Sequence, residues 1–188
     1  SRTTPYIIMI KNNRPIIWLT GPSGSGKSTL AMTIKYLFLE NKYSVRIVDG
    51  DDIREKDSKK LGFGHKDVME NNLRIAHMCQ KLRKDFDVII VPVISPYDDI
   101  RKKVRAVLEP NFHLIYLNAD IESLKNRDTK GLYSASDKGL INDLIGYSDI
   151  NPYDEPNNAE LKIETGNHKS IQESYRQLSN YIVREIFT

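Results

Sequence analysis

Eight consecutive residues constrain this chain more than any other feature. Gly21-Pro22-Ser23-Gly24-Ser25-Gly26-Lys27-Ser28 fits the pattern G-x-x-x-x-G-K-[ST]. An apolar run, Ile16-Ile17-Trp18-Leu19-Thr20, precedes it, and a helical pattern follows over 27–40. The chemistry explains the spacing. Glycines let the loop curl so that backbone N–H groups converge on phosphate oxygens. The helix start adds the positive end of its dipole. Lys27 reaches the β- and γ-phosphates, and the Ser28 hydroxyl is placed to ligate Mg²⁺. A guanine-reading Asn-Lys-x-Asp segment is missing where it belongs. That neighbourhood reads Leu117-Asn118-Ala119-Asp120, which weakens a GTPase reading.

Around this loop, strand and helix patterns alternate. Val45–Val48, Val88–Ile94, His113–Leu117 and Leu161–Ile163 read as strands, with Val88–Ile94 central. Residues 67–84, 98–108, 120–127 and 170–186 read as helices. This order implies βαβ units: a three-layer α/β sandwich of the P-loop NTPase type, its mostly parallel sheet covered by helices on both faces. Residues 128–158 break the alternation. Gly131, Gly139, Gly146 and Pro152 punctuate them, and they read as a lid. Residues 1–14 read as an N-terminal arm, and 15–188 as one P-loop domain.

Composition narrows the setting. The 188 residues carry 28 Lys+Arg against 25 Asp+Glu, a net charge of +3, too small to argue for a nucleic-acid polymer. No apolar run approaches the roughly 20 residues of a membrane span. One cysteine, Cys79, excludes an internal disulfide and points to a reducing, cytoplasmic compartment. Cys79 lies in an apolar helix pattern and reads as core. The four histidines lack metal-ligand spacing. His65 stays a candidate for substrate contact. Arg101-Lys102-Lys103 with Arg105 reads as a solvated basic face, although Arg101 lies close to the site segments.

Asp49-Gly50-Asp51 ends the second strand, where open α/β sheets bind ligands. Carboxylates there can hold Mg²⁺ or take a proton from an attacking hydroxyl. A plain polar turn is the other reading of these residues. Further segments follow in order: Asp52-Ile53-Arg54, Leu61-Gly62-Phe63, Glu70-Asn71, Ile94-Ser95-Pro96-Tyr97, Arg127-Asp128-x-Lys130-Gly131-Leu132-Tyr133 and Pro152-Tyr153-Asp154-Glu155-Pro156. With the loop, they make the chain resemble the adenylylsulfate (APS) kinases over roughly 15–165. The resemblance implies transfer of the ATP γ-phosphoryl to the ribose 3′-hydroxyl of adenylylsulfate, with ATP and Mg²⁺ as cofactors and a homodimeric state. It implies Lys27, Asp49 and Asp51 as catalytic groups, with Asp49 as base. Gly21, Ser23, Gly24, Ser25, Gly26, Lys27, Ser28, Thr29 and Arg127 would hold ATP, Arg127 packing on the adenine. Asp49, Arg54, Phe63, Asn71, Ile94, Ser95, Lys130 and Leu132 would hold the acceptor, with Phe63 stacked on its base. Ser28 and Asp49 would hold the metal.

Departures gather on the acceptor side. Where the family usually reads Asp-Arg-x-Glu-Asn-Ile-Arg-Arg, this chain reads Asp67-Val68-Met69-Glu70-Asn71-Asn72-Leu73-Arg74. Two arginines have become Val68 and Leu73, and valine offers no fixed donors for an anion. Pro92-Val93 stands where Ser-Phe is usual. Ser134-Ala135-Ser136-Asp137-Lys138 stands in a usually basic stretch, and Gly146–Asn151 is altered. Two alternatives therefore stay open: a changed acceptor such as cytidine diphosphoramidate, made in capsule pathways, and a non-catalytic nucleotide-binding regulatory domain.

Overall fold

The computed structural model describes residues 13–50, 64–128, 130–142, 144, 147 and 152–187. In chain order the elements are β1 (Ile16–Thr20), α1 (Lys27–Glu40), β2 (Val45–Ile47), α2 (His65–Leu82), β3 (Val88–Pro92) and α3 (Asp98–Leu108). They continue with β4 (Phe112–Asn118), α4 (Ile121–Arg127), α5 (Leu132–Asp137), β5 (Leu161–Glu164) and α6 (Ile171–Glu185). The five strands form one sheet in the order β2-β3-β1-β4-β5, and every pairing is parallel. Thus β1 is the middle strand, and β3 is a central strand as expected, paired on both sides with β2 and β1.

Side-chain alternation along these strands makes two cores. Ile16, Trp18, Ile89, Val91 and Leu114 face one way and pack with Val68, Ile75 and Cys79 of α2 and with Ile100 and Val104 of α3. Ile17, Leu19, Ile90, Ile115 and Leu117 face the other way, against Leu30, Ile34 and Phe38 of α1 and Leu178 and Ile182 of α6. The middle strands are almost entirely apolar, with Thr20 in β1 and His113 and Asn118 in β4 as the exceptions, because both faces are covered. Trp18 and Phe38 are the bulkiest of these fully buried side chains.

Pro92 in an interior strand has a geometric explanation. The β2 pairing ends at Ile47↔Ile90, so Pro92 lies past it and denies β2 no hydrogen bond. On the opposite side the next residue, Val93, donates its N–H to Leu19 O at 3.0 Å.

Helix ends follow their caps. Asp120 accepts from Ser123 N at 2.8 Å to start α4, and Ser170 accepts from Glu173 N at 3.1 Å to start α6. The stretch read as a lid holds a helix, α5. Asp128 starts it by accepting from the N–H groups of Tyr133 and Ser134, both at 3.0 Å. Of the arm, only Asn13 and Arg14 lie among the described residues. Both are anchored. Arg14 donates to Lys84 O and Phe86 O, and Arg83 Nε donates to Arg14 O at 2.6 Å.

Arg101 corrects the solvated-face reading. Lys102 and Lys103 are exposed, whereas Arg101 is 2% exposed. Helical geometry separates them, since neighbours in sequence point to different sides of α3.

Two outcomes test this packing. Burial pushes the Cys79 thiol up to about 12, so it stays protonated in the folded protein. An unfolded thiol ionises near pH 8.5. Burial therefore stabilises the fold below about pH 8.5, and that contribution fades as pH rises towards the folded value. A thiol reagent at pH 8 is expected to label Cys79 only after denaturation; rapid native labelling would contradict this core. The second outcome concerns Gly21. A Cβ there would meet Ser25 Oγ at 2.6 Å and Leu117 O at 2.7 Å. Gly21→Ala should lower unfolding stability by about 1–3 kcal/mol in denaturant titration. An unchanged midpoint would mean that the turn is not jammed.

Candidate active site

The site lies outside the carboxyl ends of the strands, where the sheet order reverses around β1. The loop from Gly21 to Gly26 turns tightly between β1 and α1. Gly24 (φ 80) and Gly26 (φ 100) take left-handed conformations that favour glycine. Lys27 folds back along the loop, its Nζ donating to Gly21 O and Pro22 O, each at 2.8 Å. Ser25 is buried inside the turn, whereas Ser28 and Thr29 are exposed on the first turn of α1.

A cleft of about 1290 Å³ opens from this loop. Its walls include Ser23, Gly24, Ser25, Gly26, Lys27, Ser28 and Thr29, together with Asp49 and Gly50 beyond β2. Asn71 on α2, Ile94 and Ser95 beyond β3, Arg127, Lys130 and Leu132 also line it. Among the described residues, the sequence-based candidates thus converge on one cleft, apart from Gly21 at the start of the loop and His65. Asp51, Arg54 and Phe63 lie outside the described residues.

Gly50 shows how tightly the acceptor side is built. A Cβ there would meet Val93 Cγ2 at 2.7 Å. The smaller side chain at position 93 is pressed directly against the backbone that carries Asp49.

The turn beyond β3 is strained and clamped. Ser95 has φ 47, a left-handed conformation that costs a non-glycine residue about 1 kcal/mol or more. Arg101 donates to Ser95 O at 2.9 Å and to Asp154 O at 2.6 Å. Asp154 N in turn donates to Pro96 O at 2.7 Å. Tyr153 stacks on Tyr116, ring centroids 5.8 Å apart, and its hydroxyl lies 2.9 Å from Thr20 Oγ1. The Pro152–Pro156 segment is therefore tied to the end of β1 and to the Ser95 turn. Burial raises the Tyr153 phenol well above its ordinary value, so it stays neutral.

Arg127 donates to Gly24 O at 3.0 Å and to Thr165 O, joining the phosphate loop to the segment after β5. Tyr133 on α5 donates to Ser23 O at 2.6 Å, and burial pushes its phenol up to about 12. Tyr147 packs edge-on to Tyr133 and bonds Asp137, which Lys125 also meets at 2.8 Å.

His65 is not in the cleft wall. It pairs with Asp99 at 3.0 Å and lies against Tyr97. Sequence reasoning overlooked Thr165, Asn167, Lys169, Ser170 and Ser174, which line the far end of the cleft. They carry no motif; their signal was position, following the carboxyl end of β5. Val68 and Asn72 on α2 also line the cleft.

The residues present suit a small hard cation. The Ser28 hydroxyl and the Asp49 carboxylate supply oxygen ligands in the same cleft, which fits Mg²⁺ completed by phosphate and water oxygens. Among the described residues there is no cluster of three or more His, Cys, Asp or Glu that could cage a metal by itself. No helix among them is long and apolar enough to cross a membrane.

Comparison with known proteins agrees with this architecture. Residues 13–164 match the family described as adenylylsulphate kinase. The adenylyl-sulfate kinase of Bacillus licheniformis is 38% identical over 168 residues, covering 89% of this chain and 84% of the relative. That of Prochlorococcus marinus is 42% identical over 153 residues, covering 80% and 75%. The APS kinase of Mycobacterium tuberculosis, solved in complex with AMPPNP and APS, superposes with a TM-score of 0.79 at 31% identity, covering 90% of this chain and 98% of that one. On the family match and these identities, the chain belongs to the adenylylsulphate kinase family.

Proposed function

We propose that this protein phosphorylates adenylylsulfate, transferring the γ-phosphoryl of ATP to its ribose 3′-hydroxyl. One observation carries the reading. A single cleft joins the phosphate loop to Asp49 and to the Ile94–Ser95 turn, so donor and acceptor can meet within it. Family membership points to the same acceptor, and neither a capsule-type acceptor nor a non-catalytic role is favoured by the relatives.

Phosphoryl transfer asks little covalent work of a protein; positioning and charge neutralisation lower the barrier. The loop amides and Lys27 would hold the β- and γ-phosphates. Arg127, fixed between Gly24 O and Thr165 O, would flank the ATP base. Asn71, Ile94, Ser95, Lys130 and Leu132 would hold the acceptor, with Arg54 and Phe63 assigned from the resemblance. The 3′-oxygen bonds to the γ-phosphorus, the bond from that phosphorus to the bridging oxygen breaks, and ADP leaves. The hydroxyl proton passes to the Asp49 carboxylate. Mg²⁺ held by Ser28 and Asp49 would neutralise phosphate charge, with Asp51 as a supporting carboxylate. Closure of residues 128–158 would exclude water, protecting ATP from hydrolysis. Tyr133 already anchors α5 to the phosphate loop. A cytoplasmic, homodimeric enzyme is in keeping with the lone buried thiol and with the family resemblance.

ADP release measured with ATP alone and with added adenylylsulfate tests this. Strong stimulation is expected; no stimulation, with another nucleotide stimulating, would overturn the acceptor. Asp49→Asn should lower kcat by about 10²- to 10⁴-fold while ATP binding is retained. Unchanged turnover would remove Asp49 from the role of base.

A further inference from the structure

Six buried side-chain nitrogen or oxygen atoms make no hydrogen bond among the described residues. Four of them, Asn71 Oδ1, Asn72 Oδ1, Ser95 Oγ and Thr165 Oγ1, belong to residues that line the cleft. Proteins rarely keep such atoms unpaired, so a concentration of them in one cleft points to a ligand.

Asn72 is the one for which nothing above supplies a role. It sits in the interior of α2 at 2% exposure, beside Val68 and Ile75, which are buried too. An apolar side chain of the same shape would fit this helix better and leave no orphan oxygen. Its orientation is set. Nδ2 donates to Val68 O at 3.0 Å, and a carbonyl can only accept, so the amide nitrogen must face the helix backbone. Oδ1 is therefore turned away from that carbonyl. One Nδ2 hydrogen is used by Val68 O, and the second remains. The side chain thus offers a planar acceptor–donor pair.

The surroundings select what meets it. Val68 and Val93 line the same cleft and are apolar, which suits a flat base and gives an anionic group nothing to bind. Arg127, Thr165 and Asn167 lie at the end of the cleft assigned above to the ATP base, so α2 belongs to the acceptor half. We propose that Asn72 is a specificity-determining residue that reads the acceptor's base. Its Oδ1 accepts from an exocyclic amino group while its free Nδ2 hydrogen donates to the neighbouring ring nitrogen, the pairing by which asparagine recognises adenine. This rests on the reading that the acceptor is an adenine nucleotide.

The experiment compares adenylylsulfate with inosine 5′-phosphosulfate, which carries an oxo group in place of the amine. Both are assayed at saturating ATP with the wild type, Asn72→Leu and Asn72→Ala. The wild type should show a KM about tenfold higher for the inosine compound. Both variants should raise the adenylylsulfate KM to a similar level and bring the ratio between the two acceptors close to one. Their kcat and their KM for ATP should be unchanged, which a merely structural defect would not allow. A wild-type ratio near one, which needs no variant to fold, overturns the proposal. So does a variant that keeps the ratio. If the wild type does not turn over adenylylsulfate at all, the proposed function fails and this inference fails with it; turnover without discrimination overturns the role of Asn72 alone.

Discussion

The site depends on β1 being held in the middle of the sheet. Its apolar residues have no exposed surface, and it is paired along its length with β4 and over four residues with β3. The loop that leaves it has little room to shift. Gly21 sits where any side chain would strike Leu117 O, and its N–H approaches Ile94 O at 3.4 Å. Each other contributor to the cleft is then placed relative to β1: Asp49 through β2, the Ser95 turn through β3, and Arg127 through β4 and α4. Apolar burial of the sheet, worth about 25 cal/mol per Å², thus also fixes the phosphate loop in space.

A second constraint holds the acceptor side. The Arg101 guanidinium is buried and donates to two backbone carbonyls, Ser95 O and Asp154 O. Hydrogen bonds from a charged group are worth about 1.5–3 kcal/mol each. That offsets the left-handed backbone of Ser95 and the ordering of the Pro152–Pro156 segment. The strained residue is thereby kept with its Oγ buried beside the cleft, where unusual backbone conformations tend to gather in functional sites.

Much of this was legible in the sequence, because its signals are local. The glycine loop with a strand before it and a helix after it specified the phosphate end, and α1 and α3 begin and end where their patterns do. Asn71, Ile94, Ser95, Arg127, Lys130 and Leu132, singled out on the family segments, all line one cleft. What escaped depends on tertiary contacts. Arg101 reads as one more charge on a basic helix until the Asp154 carbonyl is brought to it from 53 residues away. Thr165 and Asn167 have no motif and enter the site only because β5 pairs with β4. The helix α5 is short and lacks apolar periodicity; Asp128 starts it and Tyr133 fastens it to Ser23 O. Asn72 in a helix interior reads as an ordinary polar position until its burial is known.

On the proposed function, this cleft directs a phosphoryl group from ATP to one hydroxyl of adenylylsulfate. Phosphorus NMR of the reaction mixture tests it most directly. A new phosphomonoester resonance is expected, coupled to the ribose 3′ proton and growing in step with ADP. Growth of inorganic phosphate in its place, or a monoester at another position, would contradict it.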